Sequence, residues 1–278
     1  MRLLIDPPLD GATNMARDEA LLQLHARGEA PATLRLYAWS PACLSLGRFQ
    51  RAGEIDSVRC EHAGVTVVRR PSGGRALLHD HELTYALVTR VDAALGQGRV
   101  AQSYQRISAG LLAGLTRLGA EMKIAQACAT ANTKGAEQKS TIAACATPSA
   151  AKSSAACYDT AAAYELQVDG RKLVGSAQTR FEHALLQHGA IPLTPHAERL
   201  CALLRRPPAD LEARMVTLEG ALGRLPGSAE LIEALVAGCA QTWRVPITHG
   251  VWAEHELALV EQLRTSKYAQ DSWTWGRM

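Results

Sequence analysis

The sequence contains no run of about 18 apolar residues, which excludes a membrane-spanning helix as its organising element. Its opening, MRLLIDPPLDGATNMARDEALL, lacks the apolar core and small-residue cleavage site of a secretory signal, so the expected location is cytoplasmic. Seven cysteines, at 43, 60, 128, 145, 157, 201 and 239, form no CxxC pair and no Cys/His cluster with zinc-site spacing. An odd, scattered set with no export signal argues against a disulfide framework and makes most of these thiols small interior residues. A dominant charge is also missing. The 30 Lys and Arg nearly balance 27 Asp and Glu, and the formal +3 is too small to imply nucleic-acid binding. No Walker loop, dinucleotide fingerprint or internal repeat occurs.

What remains is an ordinary globular balance, 47% hydrophobic and 21% charged, in 278 residues that can bury a substantial core as one large or two small domains. Asn14 to Arg27 has helical apolar spacing, with Asn14 or Thr13 as the expected N-cap. TLRLYAW and ACLSLGRF read as strands joined at Ser40-Pro41, Ile55 to Ala63 as a short helix, and VTVVRR and ELTYALVTR as strands. Residues 102–119 have helical periodicity, and 125–156 are almost entirely Ala, Thr, Ser, Lys and Gln. Such a composition cannot fill a core and reads as a mobile or inserted loop. A meander of strands follows, with turns at Asp169-Gly170 and near Glu182, and the chain turns helical over 196–205, 209–223, 228–243 and 253–268. Strands in the middle with helices before and after predict an α+β fold rather than a doubly wound sheet.

Three places carry candidate chemistry. In Arg70-Pro71-Ser72-Gly73-Gly74-Arg75-Ala76 the two glycines allow positive φ and close ligand approach, and consecutive amides in such a loop can form an anion-binding nest. Arg69, Arg70 and Arg75 crowd it, which suits an anionic ligand or an acidic partner. A bare Gly-Gly is, on its own, more often a tight hairpin. The run His79-Asp80-His81-Glu82 alternates faces on a strand, so at most two side chains converge, and no metal site is expected. Finally, Cys157 and Lys172 stand at the two ends of a predicted hairpin, CYDTAAAYELQVDGRK, which continues into Gly175-Ser176-Ala177. A lone cysteine is usually a buried structural thiol, and a lysine beside a turn is usually solvated. Brought together, however, an ammonium favours the thiolate and makes it a nucleophile. His188, in LLQHGAI, reads as a satisfied interior residue rather than a base.

Taken in order, RRPSGGRALLHDHELTY, ACYD, YELQVDGRKLVGSAQTR, LLQHGAI, LEGALGR and KYAQDSWTWGR resemble the biotin/lipoate protein ligase and octanoyltransferase superfamily, and within it the LipM-type octanoyltransferases. The resemblance covers nearly the whole chain. It implies a biotin/lipoate ligase-like catalytic domain, with a mixed, largely antiparallel central sheet packed with helices, over residues 1–195. A helical C-terminal extension, 196–278, would pack on that core. It further implies that Cys157 is the acyl-accepting nucleophile and Lys172 the active-site lysine. Arg70, Ser72, Gly73, Gly74, Arg75, Ala76, His79, Gly175, Ser176 and Ala177 would line the substrate site. The implied reaction takes octanoyl from acyl carrier protein, through a cysteine thioester, to the lysine of a lipoyl domain such as glycine cleavage H protein. No ATP, metal or other cofactor is expected, and neither nucleic acid nor membrane is an expected partner. Alternatives are an ATP-dependent lipoate ligase, an amidotransferase between lipoyl domains, or a non-catalytic lipoyl-domain-binding module. Two departures from the family's pattern are Ser72, where many members carry threonine, and the Ala-rich 125–156 stretch.

Overall fold

A computed structural model describes residues 1–119, 121–124, 155–156 and 165–276. Its centre is built by the alternation in ELTYALVTR. In β6 (Glu82–Arg90), Tyr85 and Leu87 join a cluster with Ile107, Leu111 and Leu115, whereas Ala86 and Val88 join Leu21 and Leu22. The strand is thus buried on both faces, and helices cover each side.

The remaining strands of this sheet are β1 (Arg2–Ile5), β2 (Thr33–Tyr37), β10 (Gly175–Phe181), β11 (Ala184–Pro192) and β12 (Thr248–His249), in the order β10-β11-β6-β2-β1-β12. The pairings β10/β11, β11/β6 and β6/β2 are antiparallel, and β2/β1 and β1/β12 are parallel. The sheet is therefore mixed, and the fold is α+β as the element order predicts. A second sheet joins β4 (Thr66–Arg69), β3 (Cys43–Leu46) and β5 (Leu77–His79). A third joins β7 (Lys123–Ile124), β8 (Leu166–Val168) and β9 (Arg171–Lys172) in antiparallel order.

Helix α1 (Gly11–Ala26) begins three to four residues earlier than its apolar spacing suggests. Asp10 is the N-cap, accepting from the Thr13 N–H at 3.0 Å. Asn14 instead donates its amide to the carbonyls of Leu9 and Ala38. After the short α2 (Ser57–His62), α3 (Val100–Thr116) crosses α7 (Ser228–Trp243) on the opposite face of the sheet. The crossing is close because glycines meet there. A Cβ on Gly238 would lie 2.1 Å from the Gly114 nitrogen. Leu111, Leu115, Leu231 and Leu235 fill the seam, each burial worth roughly 1.5–3 kcal/mol.

The helices after residue 196 are α4 (Ala197–Leu203), α5 (Leu211–Arg214), α6 (Leu218–Leu222), α7, α8 (Glu254–Leu263) and α9 (Asp271–Trp275). The expected single helix over 209–223 is broken. Met215 is extended and bridges Lys172, Val216 donates to the Lys172 carbonyl at 3.0 Å, and Thr217 starts α6 by accepting from the Gly220 N–H. A long-range backbone pairing overrides the local helical pattern. The strands β1 and β12 carry too few positions for alternation to mark them, and β12 extends the central sheet from the C-terminal part of the chain. No helix among the described residues is long and apolar enough to cross a membrane.

Candidate active site

The Gly-rich loop links β4 to β5, and its two leading arginines point inward. Arg69 is 1% exposed and donates to the carbonyls of Gly47 (2.7 Å), Gln50 (2.7 Å) and Thr274 (2.8 Å). Arg70, also buried, donates to the carbonyls of Ser45 (2.9 Å), Gly73 (3.0 Å) and Arg75 (2.6 Å). The expectation that these two charges face an anionic partner is therefore corrected: both are buried on backbone carbonyls, Arg70 holding the loop through those of Gly73 and Arg75 and Arg69 tying its start to those of Gly47, Gln50 and Thr274. Gly74 has φ +94° and packs its carbonyl against Gly47, where a Cβ would sit 1.9 Å from that oxygen. Ala76 pairs with Ala156, and its N–H donates to the Ala155 carbonyl at 2.9 Å.

Two serine–histidine–carboxylate chains flank the loop. Ser45 Oγ accepts from Arg70 Nη1 at 2.9 Å, so its own proton goes to His79 Nε2 at 2.7 Å. His79 Nδ1–H then donates to Glu82 Oε1 at 2.5 Å, because a carboxylate can only accept. Burial pushes the His79 imidazole below its ordinary value despite the neighbouring Glu82 carboxylate, which keeps the ring neutral at pH 7. The Trp39 ring stacks on it, 3.8 Å between centroids. In the second chain, Asp18 Oδ2 accepts from His188 Nδ1–H at 2.8 Å, and His188 Nε2 accepts from the Ser72 hydroxyl at 2.5 Å. Asp18 also takes Arg35 Nη1 (2.7 Å) and the Tyr37 hydroxyl (2.9 Å), so a wholly buried ion pair anchors this chain. Of the run at 79–82, His79 and Glu82 converge. Asp80 pairs with Arg199, and His81 is exposed at φ +52°.

A cleft opens between the loop and the sheet. Six of the sequence-predicted residues line it: Arg70, Gly74, His79, Gly175, Ser176 and Ala177. Ser72, Gly73, Arg75 and Ala76 belong to the same loop and lie outside the lining. Met15, Tyr37, Trp39 and Leu77 supply apolar wall, and Ser45, Thr84 and His188 supply polar atoms. His188 is the interior, hydrogen-bonded residue the sequence suggests; the others are not singled out by sequence reasoning, although an Asp inside the apolar run ARDEALL and an Arg inside TLRLY are signs of a buried polar network. At the rim, Ser176 Oγ lies 2.7 Å from the Tyr85 hydroxyl, which burial pushes up to about 12.

Lys172 lies in β9, after the positive-φ turn Asp169-Gly170, and does not line the cleft. Its Nζ is 2.6 Å from Glu165 Oε1, and both side chains are buried, 2% and 3% exposed. Glu165 was not anticipated; it supplies the counter-charge without which a buried ammonium would be costly. Cys157 falls outside the described residues, as do 125–154 of the Ala-rich stretch. Burial pushes the Cys43 thiol up to about 12 and Cys60 to about 11, and raises Cys201 and Cys239, so these four are thiols at neutral pH and poor nucleophiles.

A family model described as the lipoyl protein ligase A/B catalytic domain matches residues 10–240. Octanoyltransferase LipM of Kyrpidia tusciae is 41% identical over 284 residues, spanning 99% of this chain and 98% of that protein. Octanoyltransferase LipM of Brevibacillus brevis is 38% identical over 281 residues, spanning 98% and 97%. Among solved structures, lipoate-protein ligase A bound with ATP aligns with a TM-score of 0.78 at 21% identity, covering 100% of this chain and 99% of that one. A bipartite lipoate protein ligase from Thermoplasma acidophilum, reported with its E2 lipoyl domain, aligns with a TM-score of 0.76 at 19% identity, covering 100% and 96%. At such identities the structural likeness speaks for the fold alone.

Proposed function

Because the chain belongs to the lipoyl protein ligase A/B catalytic-domain family and aligns along nearly its whole length with octanoyltransferases, we propose that it transfers octanoyl groups to protein in lipoate biosynthesis, with Cys157 as the acyl carrier. The donor is octanoyl-acyl carrier protein and the acceptor a lipoyl-domain lysine, that of glycine cleavage H protein. The Cys157 thiolate attacks the donor thioester carbonyl. The carbon–sulfur bond to the donor arm breaks, its thiolate takes up a proton, and an octanoyl-cysteine thioester forms. The acceptor amine then attacks that thioester, the Cys157 thiolate departs, and the amine's proton passes to the departing thiolate or to the Lys172–Glu165 pair. Thioester exchange is nearly isoenergetic and amide formation is downhill, so the cycle requires neither ATP nor metal.

The observation that carries this reading is the Ala76–Ala156 bridge. It holds the chain immediately before Cys157 against the Gly-rich loop whose Gly74 lines the cleft. The Lys172 ammonium, kept in place by Glu165, supplies positive charge for the thiolate and the tetrahedral intermediate. The apolar wall of Met15, Trp39 and Leu77 suits an octanoyl chain, worth up to roughly 0.8 kcal/mol per buried CH₂. Incubation with octanoyl-acyl carrier protein in the absence of ATP, followed by intact-mass measurement, tests the reading. One octanoyl group on the wild type and none on Cys157→Ala is expected. Lipoylation that requires ATP and persists in Cys157→Ser would make the protein a ligase, and binding of lipoyl domains without turnover would make it a binding module.

A further inference from the structure

The arginines nearest the Gly-rich loop divide into two sets. Arg69 and Arg70 are buried and turned onto carbonyl oxygens. Arg48 and Arg51 are exposed on the turn after β3, and between them stands Phe49, 67% exposed, with the Arg48 guanidinium 5.7 Å from its ring centre. Hydrogen bonds fix where this turn lies. The Arg48 N–H donates to the Ser72 carbonyl at 2.8 Å, and Gln50 Nε2 donates to the Ala155 carbonyl at 3.0 Å. On its other side, Arg205 donates its N–H to the Glu54 carbonyl at 3.1 Å and its Nε to the Ile55 carbonyl at 3.2 Å. The exposed pair Arg205-Arg206 is thereby brought beside the 3₁₀ turn Ala52–Glu54 that follows Arg51. Among the described residues, no carboxylate lies within ion-pair distance of Arg48, Arg51, Arg205 or Arg206.

We propose that Arg48, Phe49, Arg51, Arg205 and Arg206 form the docking surface for an acidic face of the protein that donates the acyl group, an inference that rests on the acyl-transfer reading above. Four exposed arginines without a carboxylate partner among the described residues, on segments adjoining the turn that carries the exposed Phe49 ring, attract a cluster of carboxylates and offer it an apolar contact. The geometry favours the donor over the acceptor. An acceptor lysine reaches only as far as its four-carbon stem, so its domain must sit at the cleft mouth. A donor carries its acyl group on a long flexible arm and docks at a distance, and none of these five residues lines the cleft.

Rates of acyl-enzyme formation, followed by intact mass, test this with two donors of different size: octanoyl-acyl carrier protein and octanoyl-pantetheine. For Arg48→Glu/Arg51→Glu, and separately for Arg205→Glu/Arg206→Glu, kcat/KM with the carrier protein falls about tenfold or more at low salt. The wild-type rate falls with rising salt, the variants lose that dependence, and octanoyl-pantetheine acylates all three proteins within about twofold of one another. Equal losses with both donors, no loss with the carrier protein, or a loss confined to transfer onto the lipoyl domain overturns the docking inference alone. A wild type that accepts octanoyl from neither donor overturns the acyl-transfer reading and the docking inference with it.

Discussion

The Ser72 hydroxyl joins three segments that are far apart in the chain. It donates to His188 on β11, which is oriented by Asp18 on α1, and Asp18 is in turn paired with Arg35 on β2. Ser72 is wholly buried, so its position beside a histidine does not make it a nucleophile; it pins the Gly-rich loop to the sheet and helix that form the cleft. Ser72→Ala leaves the His188 acceptor nitrogen buried without its donor, at a cost of about 1–3 kcal/mol. Urea denaturation is expected to report that loss, with octanoyl transfer slowed as the loop loses its anchor. A variant with unchanged stability and rate would show that the hydroxyl does not hold the loop. Glu165 makes a related point at Lys172. The sequence shows the lysine, yet the counter-charge beside its buried ammonium comes from a carboxylate just before the neighbouring strand.

Among the elements, the C-terminal helix α9 matters more to the site than its place in the chain suggests. The Trp273 and Thr274 carbonyls accept from Arg69 Nε at 3.1 Å each, Thr274 also takes Nη2, and Trp273 Nε1 donates back to the Arg69 carbonyl at 2.8 Å. A chain ending at Ser272 loses these acceptors and leaves a buried guanidinium short of partners. The expected cost is about 3 kcal/mol or more, seen as a lower midpoint in urea. Because Arg69 and Arg70 open the loop, octanoyl transfer should fall as well. Unchanged stability would mean that the carbonyls of Gly47 and Gln50 suffice. The break at Met215 is the converse lesson. Residues 209–223 fit a helix in isolation, and only the pairing with Lys172 turns two of them into extended chain.

Across the whole molecule, two buried histidines set how stability responds to acid. Burial lowers His25 and His79 below the ordinary imidazole value, so the unfolded chain binds their protons at a higher pH than the folded one. Their contribution is present above the unfolded value, near 6.5, and is lost as pH falls below it, with a slope of up to about 1.4 kcal/mol per pH unit for each proton. The midpoint of thermal unfolding should therefore drop between pH 7 and pH 5; a rise over that range would contradict the buried, neutral state of these rings. Much of this architecture is legible in the sequence: the alternation of β6, the turns at Asp169-Gly170 and Glu182, the helices other than the broken 209–223 segment, and the α+β class. What escapes is what distant residues decide. The two-residue β12 exists because β1 offers it an edge, and the inward direction of Arg69 and Arg70 follows from carbonyls on other segments. A sequence shows that charge is present but not which way it points. The loop and His79 could be read as a site, whereas Glu165 could not, and Asp18 shows only as a charge inside an apolar run, because their roles lie in partners brought from elsewhere.

The central claim, that an acyl group passes through Cys157 without ATP, is tested most directly by intact-mass measurement after mixing the protein with octanoyl-acyl carrier protein alone. One octanoyl group should appear on the wild type, none on Cys157→Ala, and the adduct should disappear when a lipoyl domain is added and gains it. An adduct that survives Cys157→Ala, or transfer that begins only when ATP is supplied, would contradict the account.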